Sequence, residues 1–270
     1  MNKDAAAESI YGDVESIREL GPLVHNITNY VVMNTTANAL LALGASPVMA
    51  HAVEEVEEMV GLAGAAGGAL VINIGTLSSE WIECMRMAMS EARSLSVPVI
   101  FDPVGAGATR FRTETSKSLI AEIPPTVIRG NGSEIMALVD GSVKTMGVDS
   151  SRTSDSAEGC ARALAESVNC VVSVSGAVDI ITDGKTVLRV ENGDPLMAKV
   201  TGLGCTATAV IGAFASVNRN FVAATYHAMA VLGICGEIAA GSSQGPGSLQ
   251  MKLYDALYNL NDEEIEAHLK

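Results

Sequence analysis

Several short, almost wholly apolar segments of this chain end in a polar residue or a glycine, and this pattern constrains the fold most. Segments of this length and composition are typical of strands that are buried on both faces of a parallel sheet. Stretches with helical spacing lie between them, so strands and helices alternate along most of the chain. The pattern predicts a three-layer α/β fold with a mainly parallel central sheet. The clearest of these segments are residues 69–74, 98–102, 126–128 and 170–174.

No linker or change of composition divides the chain, so we expect one domain over residues 1–270, with no separate lid domain. The first ten residues are polar and are predicted to be frayed, and a short helix is expected over residues 12–20. Residues 140–153 read as a loop. Asp183-Gly184 stands between two short apolar stretches and predicts a hairpin.

The composition argues against several classes of partner. The chain has 31 Asp and Glu against 17 Lys and Arg, a net charge of -14, and only 4% aromatic residues. An acidic surface repels nucleic acid and anionic lipid, and few aromatic side chains are available to stack on single-stranded bases. We therefore expect neither nucleic acid nor a membrane as a partner.

Cysteine usage and the N-terminal sequence favour a cytoplasmic protein. The five cysteines are odd in number and none forms a CxxC pair, which indicates reduced thiols and no zinc-site spacing. The N-terminus lacks the basic and apolar regions of a signal peptide. Gly or charged residues interrupt each long apolar run before it could cross a membrane.

A glycine turn near the C-terminal third of the chain is the strongest candidate for a ligand site. Gly202 and Gly204 precede an apolar stretch that predicts a buried helix from Cys205 to about residue 217. Glycines let the backbone approach a ligand closely, and the free N–H groups of the next helical turn bind anions. A thiol at such a place is expected to have a lowered pKa. A tight turn into a core helix with a buried cysteine explains the segment equally well.

Other candidates follow predicted strands, where open α/β sheets bind ligands. Asp102 precedes a glycine-rich loop and could hold a divalent cation, or it could accept amides in a tight turn. Arg129 could bind phosphate oxygens. Glu134 lies three residues after Asn131, which also suits a helix N-terminal cap. Ser175 could donate to a phosphate, although a plain turn is as good an explanation.

Five segments, taken together and in order, resemble the hydroxyethylthiazole kinase family of the thiamine pathway, within the ribokinase-like superfamily. They read HNITN at 25–29, GASPVMA at 44–50, DPVGAG at 102–107, RGNGSE at 129–134 and TGLGC at 201–205. The resemblance extends from about residue 20 to about residue 240. Cys205 matches the position where related sugar and pyrimidine kinases place an aspartate base, and thiazole kinases carry cysteine there. One residue departs from the family pattern, because Leu203 stands where the turn usually has threonine.

The resemblance implies a kinase that uses ATP and Mg²⁺ to phosphorylate the hydroxyl of 4-methyl-5-(2-hydroxyethyl)thiazole. It also implies a homotrimer with the thiazole site between neighbouring subunits. Phosphoryl transfer would be in line, with the γ-phosphate over the turn and with Cys205 as a modest helper near the substrate hydroxyl. The family pattern assigns Met49, Asn26 and Gly202 to the substrate, Arg129 and Ser175 to the nucleotide, Asp102 and Glu134 to the metal and phosphates, and Gly202, Gly204 and Cys205 to catalysis.

Three alternatives share this fold and stay open on the sequence. A pyrimidine or sugar-alcohol kinase would more often carry aspartate at position 205. An ADP- or ATP-dependent lyase similar to NAD(P)H-hydrate dehydratase would consume nucleotide without phosphorylating a thiazole alcohol. A non-catalytic thiazole or nucleotide sensor would keep the pocket without releasing ADP.

Overall fold

A computed structural model describes residues 3–139 and 153–270. The strands of this part of the chain form one sheet in the order β2-β1-β3-β4-β5-β6-β7-β8, in which β1 to β6 are parallel and β7 and β8 are antiparallel. The strands are β1 Leu23–Ile27, β2 Ser46–Val48, β3 Ala69–Asn73, β4 Val99–Asp102, β5 Val127–Asn131, β6 Val171–Ser175, β7 Asp179–Thr182 and β8 Val187–Val190.

Helices precede, separate and follow the strands. They are α1 Lys3–Leu20, α2 Met33–Leu43, α3 Val56–Ala65, α4 Ser79–Ser94, α5 Arg110–Glu122, α6 Gly132–Leu138, α7 Thr153–Val168, α8 Leu203–Val217, α9 Phe221–Gly241, α10 Pro246–Asn259 and α11 Asp262–His268. A short 3-10 helix, Pro195–Lys199, precedes the glycine turn.

The sheet separates two hydrophobic cores. Successive strand residues point to opposite faces, so Ile100 packs in one core and its neighbour Phe101 packs in the other. Helices α1, α2 and α8 to α11 contribute to the first core, and α3 to α7 contribute to the second. This arrangement confirms the predicted three-layer α/β fold, and no separate lid domain is evident over residues 3–139 and 153–270.

Helix α8 lies directly on the sheet because its residues are small. Every position from Thr206 to Ser216 is buried. A Cβ atom at Gly212 would lie 3.0 Å from Cγ2 of Val71 and 3.2 Å from Cγ1 of Val24, which leaves little space between the helix and strands β1 and β3. This contact fixes the N-terminus of α8 at the carboxyl ends of the central strands.

The N-terminal segment differs from the prediction. Helix α1 begins at Lys3, nine residues before the expected start, so residues 3–10 are helical where a frayed segment was predicted. Ala6, Ala7 and Ile10 are buried and form the start of an apolar stripe that the many polar neighbours obscure in the sequence. Most of the predicted loop at residues 140–153 lies outside the described residues.

Helix α9 is the one helix in the described part of the chain that is long and apolar enough to cross a membrane. Its mean hydropathy is 1.5 over the most apolar stretch, and 67% of that stretch is buried within the protein. A core helix of a folded domain can have the same length and hydropathy. Here α9 packs against α8 and α10 in the first core.

Candidate active site at the carboxyl ends of the strands

The predicted site residues meet where the parallel strands end and α8 begins. Asn73 and Asp102 are paired neighbours at the ends of β3 and β4. Arg129 pairs with Ser173 on the adjacent strands β5 and β6, and Ser175 ends β6. Ligands of open α/β sheets bind at this edge.

The glycine turn is built as the sequence suggested. Gly202 has φ 81° and is the N-cap of α8, and a Cβ atom there would overlap Val32. The left-handed backbone therefore requires glycine. Because no side chain caps this helix end, its first N–H groups are available to an anion. Leu203 packs its side chain against the first core and also lines the cavity described below.

Arg129 lies against the same helix end. A Cβ atom at Gly204 would be 2.7 Å from Nη1 of Arg129, so this close approach also depends on glycine. The guanidinium donates through Nη2 to Oγ of Ser175, whereas its buried Nε has no partner among the described residues. A cation beside the positive end of a helix is unfavourable unless an anion joins them. The arrangement suits a phosphate group.

A cavity of 760 Å³ opens beside the turn. Arg129, Ser175 and the turn form its polar end, while Met197, Met229 and Leu232 give it an apolar wall. Its volume falls within the range of about 300–1,000 Å³ that is usual for small-molecule sites. Asp179 also lines it, and burial raises the pKa of that carboxyl despite a hydrogen bond from the Gly176 amide.

Asp102 is a buried carboxylate with one oxygen unused. Oδ2 accepts hydrogen bonds from Asn73 Nδ2 at 2.9 Å and from Thr208 Oγ1 at 2.7 Å. Oδ1 is buried and has no partner among the described residues. Burial raises the pKa of Asp102 to about 6, although Arg129 and the hydrogen bonds oppose the shift and Glu134 adds to it. An unpaired oxygen of this kind is suited to a cation.

Glu134 carries out the structural role that its spacing suggested. Its Oε2 accepts the Asn131 amide at 2.8 Å in a complete capping box, and Oε1 accepts the Gly105 amide at 2.8 Å. These bonds tie the start of α6 to the glycine-rich loop after Asp102. Among the described residues, no group of three His, Cys, Asp or Glu side chains could hold a metal. A divalent cation here would need phosphate and water oxygens as further ligands, as Mg²⁺ commonly does.

The thiol of Cys205 does not have the lowered pKa that its position at a helix start predicted. Burial and the negative charge of Asp102 raise its pKa, against smaller opposing effects from Asn73, Asn29 and Arg129. Asn29 Nδ2 donates to the Cys205 Sγ at 3.5 Å. Cys205 is absent from the cavity lining that includes Gly202, Leu203 and Gly204.

Three residues of this site were not found by the sequence reasoning. Asn29, Asn73 and Thr208 join Cys205 to Asp102 through buried hydrogen bonds. Asn73 had a visible signal, because it is a polar residue inside the apolar segment 69–74. Asn29 and Thr208 had none, since their contacts span 44 and 106 positions in the sequence.

Two of the three predicted substrate residues lie apart from this network. Asn26 is fully buried in β1, and its amide donates to the Val24 carbonyl at 2.8 Å while Oδ1 has no partner among the described residues. Met49 is half-buried just after β2. Its carbonyl lies 3.4 Å from Nδ1 of His51, whose ring contacts that of Trp81 at a tilt, with centroids 4.6 Å apart.

Sequence comparison identifies the family of this chain. The model of the hydroxyethylthiazole kinase family matches residues 14–263. The hydroxyethylthiazole kinase of Syntrophus aciditrophicus (strain SB) is 54% identical over 266 residues, which make up 97% of this chain and 96% of that protein.

Solved structures agree with the sequence comparison. Hydroxyethylthiazole kinase from Pyrococcus horikoshii OT3 superposes with a TM-score of 0.89 at 45% identity, covering 97% of this chain and 98% of that one. A ribokinase-like superfamily protein from Enterococcus faecalis V583 shares the fold alone, with a TM-score of 0.60 at 14% identity over 95% of this chain and 94% of that one. The chain therefore belongs to the hydroxyethylthiazole kinase family and has the ribokinase-like fold.

Proposed function

We propose that this protein transfers the γ-phosphate of ATP to the hydroxyl of 4-methyl-5-(2-hydroxyethyl)thiazole, as a thiamine-pathway enzyme. The turn from Gly202 to Cys205 carries this proposal. Its glycines face the cavity that holds Arg129 and Ser175, and its cysteine lies next to Asn29 and outside the cavity lining. A phosphate donor and an alcohol acceptor can therefore meet at one helix N-terminus.

The chain's own groups would stabilise the charge that spreads over the phosphoryl oxygens during in-line transfer. The open amides at the start of α8 and the guanidinium of Arg129 converge on one place, so neither has to reorganise when the reaction occurs. Ser175 fixes Arg129 from the other side. Leu203 contributes its backbone and an apolar side chain to the turn, so a hydroxyl at that position is not part of the mechanism.

Asp102 fits the Mg²⁺ that such kinases use, because its Oδ1 is buried and has no partner among the described residues. Asp102 would hold the ion there, and the ion would supply positive charge that neutralises the phosphate. Glu134 lies close enough to raise the pKa of Asp102, but each of its oxygens already accepts an amide. We infer that Asp102 is the direct ligand and that Glu134 acts through water while it holds the loop at Gly105.

Cys205 would help the substrate hydroxyl only modestly. Its raised pKa keeps the thiol protonated at neutral pH, so it cannot remove the hydroxyl proton before phosphoryl transfer begins. In a loose transition state the hydroxyl loses its proton late, so a strong base is not needed. The sulfur would accept a weak hydrogen bond from the hydroxyl and so orient it, and the proton would pass to an oxygen of the transferred phosphoryl group at the end of the step.

A homotrimer with substrate sites between subunits would cover an apolar surface on the β2 side of the sheet. Four large apolar side chains are more than half exposed there, in the β1–α2 loop and on helices α2 and α3. They are Tyr30, Val31, Leu41 and Leu62. Asn26 lies in β1 and Met49 directly follows the neighbouring strand β2, which is the location that a shared thiazole site requires.

We also propose that the chain works as one domain in the cytoplasm. The proposed site residues lie in the single sheet, directly after its strands or at the start of α8, so no second unit is needed within the chain. All five cysteines are free thiols, as expected in a reducing compartment.

A coupled assay for ADP tests this function. The purified protein is given ATP and Mg²⁺ with the thiazole alcohol or with a pyrimidine or sugar alcohol, and the phosphorylated product is identified by mass spectrometry. We expect ADP and thiazole phosphate in equal amounts. ADP release with another alcohol in preference would favour a different kinase, ADP release with hydrated NAD(P)H alone would favour the lyase, and no ADP with any of them would favour a sensor.

A further inference from the structure

We propose that Asn73 is a positioning residue that aligns the metal side and the acceptor side of the site at the same time. Its amide contacts Asp102 at one end and, through Asn29, Cys205 at the other. This inference rests on the proposed function, in which a cation binds at Asp102 and the alcohol binds beside Cys205.

The first end concerns which oxygen of Asp102 is free. Asn73 Nδ2 and Thr208 Oγ1 both donate to Oδ2, from β3 and from α8 on opposite sides of the carboxylate. Two donors on one oxygen restrain rotation about the Cβ–Cγ bond, so Oδ1 stays free for a cation. The carboxylate is fully buried, and an alternative orientation would leave buried donors without a partner.

The second end concerns the thiol. Asn73 Oδ1 accepts Asn29 Nδ2 at 2.9 Å, and the same Nδ2 group donates to Cys205 Sγ at 3.5 Å. Asn29 follows β1 and is held closely, since a Cβ atom at Gly75 would be 2.6 Å from its Nδ2. The sulfur thus receives a donor whose position Asn73 sets.

The orientation of the Asn73 amide is determined by its neighbours. Its oxygen accepts two donors, Asn29 Nδ2 and the Gly75 amide at 2.9 Å, while its nitrogen faces the acceptor-only carboxylate. The flipped amide would place donors against donors and an oxygen against Asp102. The Asn73 side chain therefore fixes both the contact with Asp102 and the contact with Asn29, which an apolar residue of the same size would not do.

Four variants separate the two ends. Thr208→Val removes a donor from Asp102 and keeps the shape of the side chain. Asn29→Ala removes the donor from Cys205 without touching Asp102. Asn73→Ala removes both, and Asn73→Leu serves as a second variant because it keeps the approximate shape of the side chain, adds no charge and also loses both contacts.

Two measurements report on the two ends without relying on turnover. Binding of Mn²⁺, used as a paramagnetic probe in the presence of a non-hydrolysable ATP analogue, reports on Asp102 by electron paramagnetic resonance. The pH profile of iodoacetamide labelling, read by mass spectrometry, reports on Cys205. The other four cysteines are buried, and Asp102 and Arg129, the charged groups that act on this thiol, are present in every variant.

We expect Asn73→Ala to weaken Mn²⁺ binding by about tenfold, the effect of losing one hydrogen bond to a charged group. The midpoint of labelling should move up by about 0.5–1 pH unit. Thr208→Val should reproduce only the first effect and Asn29→Ala only the second. Asn73→Leu should reproduce both effects. In kinetics, kcat should fall in all variants, and the KM for ATP should stay within about threefold in Asn29→Ala, because this variant leaves Asp102 untouched and Asn29 does not line the nucleotide cavity.

Clear results would overturn the inference. A folded Asn73→Ala that changes only one of the two readouts, or neither, removes the coupling. If Asn73→Ala does not fold, the inference stands or falls on the two single-end variants and Asn73→Leu. Absence of Mn²⁺ binding in the unaltered protein would overturn the Asp102 end, whereas failure to phosphorylate the thiazole alcohol with both readouts intact would overturn only the proposed function.

Discussion

At the scale of single residues, the thiol of Cys205 experiences two opposing influences. Its place in the first turn of α8 favours the thiolate, whereas burial and the nearby Asp102 charge favour the protonated form. The second influence is the larger, so the pKa rises. A helix N-terminus is therefore not enough to activate a cysteine when a carboxylate shares its pocket.

This balance predicts a limited role for Cys205 in catalysis. We expect Cys205→Ala to lower kcat by at most about 100-fold, the lower end of the usual range for a general base. Removal of the metal with a chelator should cost more. Steady-state kinetics of the Cys205→Ala variant and of the unaltered protein with chelator measure the two losses. Equal losses would show that the thiol is essential, and a folded but inactive Cys205→Asp would exclude the analogy with kinases that use aspartate here.

We predict that the folded protein becomes more stable when the charge of Asp102 is removed. Because the folded-state pKa is about 6, above the value of about 3.9 for a free aspartate, the folded protein holds a proton that the unfolded chain loses between these values. Stability therefore falls as pH rises from about 4 to about 6. Asp102→Asn should raise the free energy of unfolding by about 1–3 kcal/mol at pH 8 and leave it unchanged at pH 4. It should also abolish activity.

Denaturant unfolding without metal at both pH values measures this effect. Asp183→Asn is the matched control, because backbone hydrogen bonds from Thr186 and Lys185 lower the pKa of Asp183. A lowered carboxyl pKa gives stability that is present at pH 8 and lost on acidification, so this variant should be less stable than the unaltered protein at pH 8. A destabilised Asp102→Asn at pH 8 would contradict the inferred cost of burying this charge.

At the scale of elements, two glycines of α8 have different functions. The absence of a side chain at Gly204 leaves space for the guanidinium of Arg129, and its absence at Gly212 lets the helix lie close to strands β1 and β3. Gly204→Ala should therefore displace Arg129 and raise the KM for ATP by about tenfold, with little change in melting temperature. Gly212→Ala should lower the melting temperature and leave that KM unchanged. Similar effects of the two variants on KM would show that the whole helix, not Arg129, had moved.

The regular elements could be predicted because their signals are local. Apolar segments located the central strands, and Asp183-Gly184 located the β7–β8 hairpin. Gly44 ends α2 with a left-handed backbone at φ 110°, a conformation in which helices often end on glycine. The start of α1 was missed because its apolar stripe is made partly of alanines among charged residues. The 3-10 helix 195–199 was missed because its five residues carry no helical period.

The site was predictable where a residue type was unusual for its place, and unpredictable where partners are distant in sequence. Asp102 and Arg129 stand out as charges at strand ends. The Asn29–Asn73 contact depends on the register of β1 beside β3, which no local pattern specifies. The thiol pKa also needed the fold, since its direction depends on burial and on an aspartate 103 positions away.

At the scale of the whole molecule, an exposed apolar surface lies on the same side of the sheet as the acceptor end of the site, where the alcohol is proposed to bind. The nucleotide cavity lies on the β6–β7 side, enclosed by the 3-10 helix and α9. The β1–β2 side instead carries exposed Tyr30 and Leu41. Patches of this kind on a soluble fold usually mark an interface. In the proposed trimer, one chain would complete the donor end alone and a neighbour would close the acceptor end.

The last prediction follows from that asymmetry. Leu41→Glu on α2 should convert a trimer to monomers in sedimentation velocity and raise the KM for the thiazole alcohol by about tenfold or more, with ATP-analogue binding unchanged. Phe111→Glu on α5 is the matched control, because Phe111 is 53% exposed but α5 packs in the second core, whereas α2 packs in the first. This variant should alter neither property. A monomeric unaltered protein with full activity would contradict the shared site. So would a Leu41→Glu variant that remains trimeric yet loses alcohol binding, because the residue would then act within its own subunit.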